Sequence, residues 1–257
     1  YLGFYGPTYA SHCDWWILDR SMATRLRTAY PGSEPIWSLP GAAFCYDAAV
    51  HRLPAFNRHD PALSSSPVMG SFNHSRKLTR RTIGRFAAIL RAIPAAVLQF
   101  RSHSFCDPHV RRWFLRALLD AGVAAHQCQP LAYASTAADA FHDYRRLHLH
   151  LDSFPVSGTT TTLDALAMGV PVLTCPNRLY AGAISAALLE QLDLAHMICP
   201  REEELPQRAQ QLCERYRRPE QRAALASRVR ASALFDTHTT PRQFADQLKV
   251  MLRAQRL

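Results

Sequence analysis

Residues 151–174 read LDSFPVSGTTTTLDALAMGVPVLT, a pattern that predicts a strand, a loop, a helix and a second strand. The threonines Thr159 to Thr162 fall where the predicted helix begins. A helix start has unpaired backbone N–H groups and the positive end of the helix dipole, so hydroxyls placed there favour a bound phosphate or diphosphate. Asp164 follows on the same helix, where its carboxylate can accept hydrogen bonds from a sugar hydroxyl. Because threonine is a common N-cap in any helix, the run alone leaves an ordinary helix start open.

Alternating strand and helix patterns surround this stretch. Besides the helix after the threonines, the sequence predicts strands at 14–19, 36–39, 68–72, 96–100, 126–129, 147–151 and 170–174, and helices at 79–92, 108–121, 137–146, 180–191, 202–216, 220–233 and 241–254. Residues 47–67 are rich in Pro, Ser, Asn and His and predict a linker. Strand–helix alternation is typical of parallel strands with right-handed crossovers. The predicted fold class is therefore α/β, a Rossmann-like parallel sheet with flanking helices, with ligands at the carboxyl ends of the strands.

A second polar loop follows the strand at 68–72, so it is expected at the same edge of the sheet. Residues 70–79 read GSFNHSRKLT. Lys77 can reach phosphate oxygens as a point charge, and Asn73 and His74 can make polar contacts from the strand end. Thr79 is the predicted N-cap of the following helix. A basic helix start opposes the helix dipole, which favours a nearby anion, although a merely solvated basic surface is the alternative.

Composition narrows the class of protein. Of 257 residues, 48% are hydrophobic and 19% are charged, which is typical of a globular chain. The net charge of +10 favours anionic partners, but the arginines are spread along helices and no aromatic-plus-basic RNA motif is present, so no nucleic-acid partner is expected. No apolar run is long enough to span a membrane, and no membrane partner is expected. Because the chain begins with Tyr1 rather than Met, we expect it to be a piece of a longer polypeptide.

Cysteines and histidines outside the two loops predict structural roles. The seven cysteines are odd in number and form no CxxC pair, which argues against a disulfide framework or a structural zinc site and predicts a reducing, cytoplasmic compartment. Cys175 is expected to be a buried, inert thiol, because no base is identifiable beside it. His148 and His150 alternate along one strand and should share a face of the sheet. A metal pair there lacks carboxylate or cysteine partners, so a structural role is favoured.

Together these motifs resemble a known enzyme family. The pattern GSFNxxxK at 70–77, YRR at 144–146 and LDxxPxxGxTTxxDALxxGVPV at 151–172 resembles the O-linked N-acetylglucosamine transferase family, whose members have the GT-B fold and often follow tetratricopeptide repeats. The segments LGFYGPT at 2–8 and LFDT at 234–237 are also similar to family segments, so the resemblance covers almost the whole chain.

The resemblance implies a division of the chain. Residues 1–66 would be the end of the N-terminal, acceptor-side lobe with its linker, 67–238 the nucleotide-sugar-binding C-terminal lobe, and 239–257 a C-terminal helix. The family's acceptor-side histidines would lie upstream of Tyr1.

The resemblance also implies roles for individual residues. Lys77 would neutralise the diphosphate of the UDP-sugar donor and assist departure of UDP. The remaining residues expected to bind the donor are Thr160 and Thr161 at the phosphates with Thr159 beside them, Asp164 at the ribose, Asn73 and His74 nearby, and Leu2 and Gly3 near the sugar. No metal or other cofactor is expected, because the lysine and the helix dipole do the work of a divalent ion.

The implied activity is inverting transfer of N-acetylglucosamine, or a related hexose, from a UDP-sugar to a Ser or Thr hydroxyl of an acceptor protein. Three alternatives stay open: glucosylation of Asn from UDP-glucose, a UDP-sugar-binding module without turnover, and nucleic-acid binding on charge alone. The sequence departs from the family at Ala140, where a histidine is common; His142 lies two residues away and is interpreted as a surface residue or a shifted substitute. The family's Ser-Arg-Val is also replaced around 182–184.

Overall fold

A computed structural model describes residues 6–9, 13–27, 29–39, 41–56 and 63–254. Its strands are β1 (Trp16–Asp19), β2 (Ile36–Leu39), β3 (Val68–Ser71), β4 (Val97–Phe100), β5 (Cys128–Pro130), β6 (Leu149–Leu151) and β7 (Val172–Leu173). Its α-helices are α1 (Arg20–Leu26), α2 (Arg80–Ala92), α3 (Pro108–Asp120), α4 (Ala137–Arg145), α5 (Thr160–Ala167), α6 (Tyr180–Gln191), α7 (Leu205–Arg215), α8 (Pro219–Arg230) and α9 (Thr239–Ala254).

The main sheet has five parallel strands in the order β5-β4-β3-β6-β7. The chain runs outward from β3 through β4 to β5, returns to place β6 on the other side of β3, and continues to β7. In the register of the sheet, Gly70 lies between Gln99 of β4 and His150 of β6. The strand order thus reverses between β3 and β6, and the predicted Rossmann-like α/β class is confirmed.

Burial explains why these segments form strands and helices. Met69, Leu98 and Leu149, one in each of the three central strands, are fully buried, as expected for a sheet covered on both faces. Helix α2 buries Phe86 and Leu90 on its sheet-facing stripe, and the Thr79 side chain accepts a hydrogen bond from the N–H of Thr82 at its start, as predicted.

Several predicted boundaries need adjustment. β7 spans 172–173 rather than 170–174: the turn after α5 occupies Met168 and Gly169, and Thr174 forms only an isolated bridge with Ile198. The helix predicted at 202–216 begins with a 3-10 turn at 202–204 before α7. The described parts of the predicted linker, 47–56 and 63–67, contain turns and extended chain and no strand or helix.

The amino-terminal segment forms a small parallel β1-α1-β2 unit. Helix α1 was not expected from the sequence; Asp19 caps it by accepting a hydrogen bond from the N–H of Met22 at 2.9 Å. The unit packs against the main body through α1 and α6, where Arg25 forms an ion pair with Glu190. Leu2 and Gly3, predicted to lie near the sugar, are outside the described residues. Within the described part of the chain, none of the helices combines the length and apolar character needed to cross a bilayer.

Candidate functional site

The two loops singled out by the sequence meet where the strand order reverses. One follows β3 and the other follows β6, and the Oγ1 of Thr161 donates a hydrogen bond of 3.0 Å to the Oδ1 of Asn73 across the gap. Asn73 is fully buried, and its Nδ2 has no hydrogen-bond partner among the residues that the structure describes. Ligands of open α/β sheets bind at such a position, so the topology brings these predicted residues together.

Asp152, directly after β6, shapes the second loop. Its Oδ1 accepts hydrogen bonds from the N–H groups of Ser153 and Gly158 at 2.8 and 2.7 Å, and its Oδ2 accepts one from the Thr174 hydroxyl at 2.8 Å. Burial raises the pKa of this carboxyl, while these donors act in the opposite direction. Sequence reasoning assigned no role to Asp152, although a carboxylate between a buried strand and a Ser-Gly turn is a usable signal.

Glycine is needed at position 158 because three oxygen atoms lie close to the place where a Cβ would be. A Cβ there would lie 2.6 Å from the Thr162 hydroxyl, 2.7 Å from the Thr161 hydroxyl and 3.2 Å from the Oδ1 of Asp152. The absence of a side chain therefore lets the loop pass close to the start of α5.

Lys77 reaches from the β3 loop to the β6 loop. Its Nζ donates a hydrogen bond of 2.8 Å to the carbonyl oxygen of Ser157. Burial lowers the pKa of Lys77, and the nearby charge of Asp152 partly offsets this shift. The short 3-10 turn that carries Lys77 is capped by His74, whose Nδ1 accepts a hydrogen bond from the N–H of Arg76 at 3.2 Å. The ammonium group is thus held at the edge between both loops.

The threonine run starts α5 as predicted, with different tasks for its members. Thr159 is the N-cap residue, but its side chain makes no capping hydrogen bond. The first backbone bond of the helix runs from the N–H of Leu163 to Thr159 O at 3.1 Å. Thr162 is buried with its hydroxyl 2.8 Å from the Ser185 hydroxyl, whereas Thr160 is exposed. The run therefore combines one structural threonine with hydroxyls at the start of the helix.

Asp164, in the second turn of α5, lines a pocket beside these loops. Its Oδ1 accepts a hydrogen bond of 2.5 Å from the Tyr46 hydroxyl. Burial raises the pKa of Asp164 to about 6, and the Tyr46 hydroxyl and the charges of His51 and Arg101 act against this shift. The pocket has a volume of about 550 Å³, and its lining includes Phe72, His74, Arg101, Ser102, His103, Tyr133, Ala140, Tyr144 and Thr161.

Arg101 braces the wall of this pocket. It forms an ion pair with Asp143 of α4, and its guanidinium lies 4.5 Å from the centre of the Phe72 ring. Ala140 lines the pocket, whereas His142 is exposed and is not among the lining residues, in agreement with the surface interpretation of His142. Arg101 and Tyr46 were missed by sequence reasoning; Arg101 directly follows β4, which is the signal that could have found it.

The side chains of His148 and His150 form hydrogen bonds with backbone groups in and beside β3. The Nδ1 of His148 accepts a hydrogen bond from the N–H of Val68 at 3.0 Å, and its Nε2 lies 3.0 Å from the carbonyl of Ser64. The Nε2 of His150 accepts a hydrogen bond of 3.3 Å from the N–H of Phe72, and burial lowers the pKa of His150 to about 3. Burial also raises the pKa of the Cys175 thiol to about 11, which makes it a poor nucleophile.

Two further features of the described residues bear on where a ligand could bind: the grouping of their His, Cys, Asp and Glu side chains, and a second cavity. Across the residues with described positions, no group of three or more His, Cys, Asp or Glu side chains could hold a metal ion. A larger cavity of about 740 Å³ opens where Pro67 precedes β3 and His148 precedes β6, at the opposite edge of the sheet. None of the predicted site residues that the structure describes lines it.

The sequence matches one family profile and a group of curated relatives. The profile of Glycosyl transferase family 41 matches residues 56–244. SPINDLY of Arabidopsis thaliana, described as a probable UDP-N-acetylglucosamine–peptide N-acetylglucosaminyltransferase, is 31% identical over 208 residues, which cover 80% of this chain and 22% of that protein. The SPINDLY protein of Solanum lycopersicum is 30% identical over 213 residues, covering 82% of this chain and 23% of that protein. The chain therefore spans less than a quarter of the length of these relatives.

Solved structures agree with the fold. A point variant of the O-GlcNAc transferase of Thermobaculum terrenum superposes with a TM-score of 0.78 at 26% identity, over 94% of this chain and 45% of that one. Sucrose-phosphate synthase from Thermosynechococcus elongatus superposes with a TM-score of 0.58 at 14% identity, over 94% of this chain and 59% of that one, which is a likeness of fold alone.

Proposed function

Because the chain belongs to glycosyl transferase family 41, we propose that it binds a UDP-sugar donor at the carboxyl edge of its sheet and serves transfer of N-acetylglucosamine, or a related hexose, to a Ser or Thr hydroxyl of a protein. The observation that carries the proposal is the convergence of Lys77, the Asn73–Thr161 contact and Asp164 at the reversal of strand order. The lysine cation and the start of α5 are suited to a diphosphate, and the carboxylate of Asp164 is suited to the hydroxyls of a ribose.

In this proposal the diphosphate lies at the start of α5. Backbone N–H groups of its first turn and the hydroxyls of Thr159 and Thr160 donate hydrogen bonds to phosphate oxygens, and the Thr161 hydroxyl exchanges its bond to Asn73 for one to a phosphate oxygen. Lys77 supplies the full positive charge, and Asp164 accepts hydrogen bonds from the ribose. Asn73 and His74 add polar contacts.

The identity of the cation supports a specific role for Lys77. The chain has only two lysines, Lys77 and Lys249, among its 30 basic Lys and Arg residues. A lysine carries a compact charge on a flexible side chain, whereas the guanidinium group of an arginine is planar and rigid. The ammonium group of Lys77 can follow the charge that moves onto the diphosphate as the donor reacts.

The proposed reaction is a direct displacement. The acceptor hydroxyl oxygen attacks the anomeric carbon, the bond from that carbon to the diphosphate oxygen breaks, and its electron pair leaves with UDP, so the configuration inverts. The hydroxyl proton passes to an oxygen of the departing diphosphate. Lys77 and the start of α5 stabilise the departing negative charge, since both are already in place before the bond breaks. Charge neutralisation by these groups requires no metal ion.

The proposal extends to the organisation and setting of the protein. Residues 1–66 belong to the acceptor-side lobe and its linker, 67–238 to the donor lobe, and 239–257 to a C-terminal helix. An acceptor protein and the donor are the expected partners, with neither nucleic acid nor membrane. A cytoplasmic location is supported by the seven cysteines, which are all free thiols.

Calorimetric titration of the full chain with UDP tests the site. Lys77→Ala should weaken UDP binding about tenfold to a hundredfold, because one charge-assisted contact is lost, and Asp164→Asn should weaken it about tenfold. Lys249→Ala, which removes the exposed lysine of α9, is the matched control and should bind as the wild type does. GDP and ADP serve as nucleotide controls. Unchanged affinity in both site variants would reject the assignment.

The two lysines also allow a footprint. Acetylation of lysines followed by mass spectrometry should show UDP-dependent protection of Lys77 and none of Lys249. Equal modification of Lys77 with and without saturating UDP would contradict its contact with the diphosphate.

One observation favours a second candidate, a UDP-sugar-binding module without turnover. Ala140 lines the pocket where relatives often carry a histidine, and His142 lies on the surface. A chain that binds UDP, but neither transfers nor hydrolyses the sugar when its upstream region is present, would support this candidate.

A further inference from the structure

We propose that Tyr46 is a positioning residue of the donor site, which holds the Asp164 carboxylate in its binding orientation and ties it to the segment that leads from the amino-terminal unit. This inference rests on the proposed function, because it takes Asp164 as the ribose ligand. Tyr46 lies between β2 and β3, outside both of the loops that carry the family motifs.

The Tyr46 side chain is built into the interior. It is 2% exposed, and its hydroxyl donates to the Oδ1 of Asp164 at 2.5 Å. A buried hydroxyl that donates to a carboxylate makes one of the stronger classes of hydrogen bond. One carboxylate oxygen of Asp164 is thus held on the protein side, which limits the orientations available to the other.

Tyr46 is itself fixed from three directions. Its N–H donates a hydrogen bond of 2.7 Å to the carbonyl of Leu234, after α8. Its ring lies 4.7 Å from the ring of Phe235 and stacks on His51 at 4.4 Å. A ring held on both sides cannot rotate its hydroxyl away from Asp164 without disrupting these contacts.

The segment that carries Tyr46 is anchored a second time beside the same helix. Arg230 donates to the carbonyl of Ala167, at the end of α5, at 2.9 Å and to the carbonyl of Pro54 at 2.7 Å. The C-terminal half of α5 is therefore linked to residues 46–54 twice, at Asp164 through Tyr46 and at Ala167 through Arg230. A displacement of this segment would move the proposed ribose ligand.

The charge state of Asp164 depends on several neighbours. The titratable and charged groups that act on Asp164 or on Tyr46 are His51 from the connecting segment, Arg101 after β4, Tyr144 of α4 and Arg230 of α8. Burial raises the pKa of Asp164 to about 6, and the Tyr46 hydroxyl is the largest influence against that shift. Loss of the hydroxyl should therefore make the carboxyl easier to protonate near neutral pH.

The test is UDP affinity as a function of pH for the full chain and Tyr46→Phe. Phenylalanine keeps the ring contacts and removes only the hydroxyl. We expect the pH at which affinity is half lost on acidification to move upward by about one unit, with affinity several-fold lower at pH 7. Tyr216→Phe removes a comparable hydroxyl, hydrogen-bonded to His196 at 2.9 Å and remote from the pocket, and should keep the wild-type profile.

Two further backgrounds make the result decisive. Because histidine changes charge in the same pH range, the comparison is repeated with His51→Gln, where the upward shift should persist. In Asp164→Ala, which has no side-chain acceptor, Tyr46→Phe should have no further effect on UDP affinity. A wild-type profile in Tyr46→Phe, while Asp164→Asn weakens binding, would overturn the positioning role and leave the donor site intact. UDP binding unaffected by Asp164→Asn would overturn both proposals.

Discussion

The partly buried carboxylate of Asp164 should lower the stability of the folded protein near neutral pH. An aspartate in an unfolded chain ionises near pH 4, whereas the pKa of Asp164 in the fold is about 6. Between these values the folded protein holds one proton more than the unfolded chain, so the stabilising contribution falls as pH rises and is lost above pH 6.

The asparagine side chain of the Asp164→Asn variant cannot ionise, so this variant should not lose free energy of unfolding as pH rises from 4 to 6. Relative to the wild type, its free energy of unfolding should rise across pH 4 to 6 by up to about 3 kcal/mol. Asparagine can still accept the hydrogen bond from Tyr46. Urea unfolding at pH 4, 5, 6 and 7 measures the difference, and a difference that is constant with pH would contradict the account. If the difference changes with pH as expected, the carboxyl group proposed to bind the ribose is one that lowers the free energy of unfolding.

Sequence could predict the placement of those residues that directly follow a strand. Lys77 and the threonine run come directly after strands, and topology alone brings such loops to one edge. Tyr46 could not be found this way, because its contact with Asp164 joins residues 118 positions apart and depends on how the connecting segment packs. Asp152 stands in the quoted motif, but its hydrogen bonds to Gly158 and Thr174 depend on the folded loop and could not be predicted from residue spacing.

At the scale of an element, the turn into α5 depends on the missing side chain at Gly158. Gly158→Ala would place a methyl group against the hydroxyls of Thr161 and Thr162. These hydroxyls sit on β-branched side chains with few alternative rotamers, so the loop must shift. We expect a loss of about 1–3 kcal/mol in the free energy of unfolding and UDP affinity reduced about tenfold.

Gly84 in α2 is the matched control for this substitution. A Cβ there meets nothing within 4 Å, and alanine is the better helix former by about 1 kcal/mol. Gly84→Ala should therefore raise the free energy of unfolding slightly and leave UDP affinity unchanged. Equal losses in both variants would show that the crowding at Gly158 has no special effect.

Most elements of the main body were predictable because each has a strong local pattern. α6 begins and ends at the predicted residues, and α2 differs only by its N-cap. α1 was missed because it has seven residues, too few for a clear repeat, although Met22 and Leu26 stand four apart on its buried face. Strand lengths were overestimated at β7, where only the central pair joins the ladder.

At the scale of the whole molecule, the amino-terminal unit and the main body share one core. Leu18 and Met22 belong to the same buried cluster as Leu188 and Leu189 of α6. The Arg25–Glu190 pair is partly exposed, so it contributes less than about 1 kcal/mol to this contact. The apolar packing is what should make the two parts unfold together.

Tryptophan positions allow a direct check of this cooperativity. Three of the four tryptophans, Trp15, Trp16 and Trp37, lie in or beside the amino-terminal unit, and Trp113 lies in α3. In a Trp113→Phe variant, fluorescence follows the amino-terminal unit while circular dichroism follows the helices of the main body. We expect coincident urea transitions. An earlier fluorescence transition would mean that the unit unfolds separately.

The central place of β3 also determines when during folding the pocket can form. Its neighbour β4 is the next strand along the chain, whereas the Asn73–Thr161 contact closes a separation of 88 residues. Contacts of high sequence separation form late, because closing a long loop reduces chain entropy before any contact compensates. A chain folded only as far as β5 therefore lacks the pocket proposed to bind the nucleotide. A nucleotide added during refolding should leave the folding rate unchanged and slow only the unfolding rate.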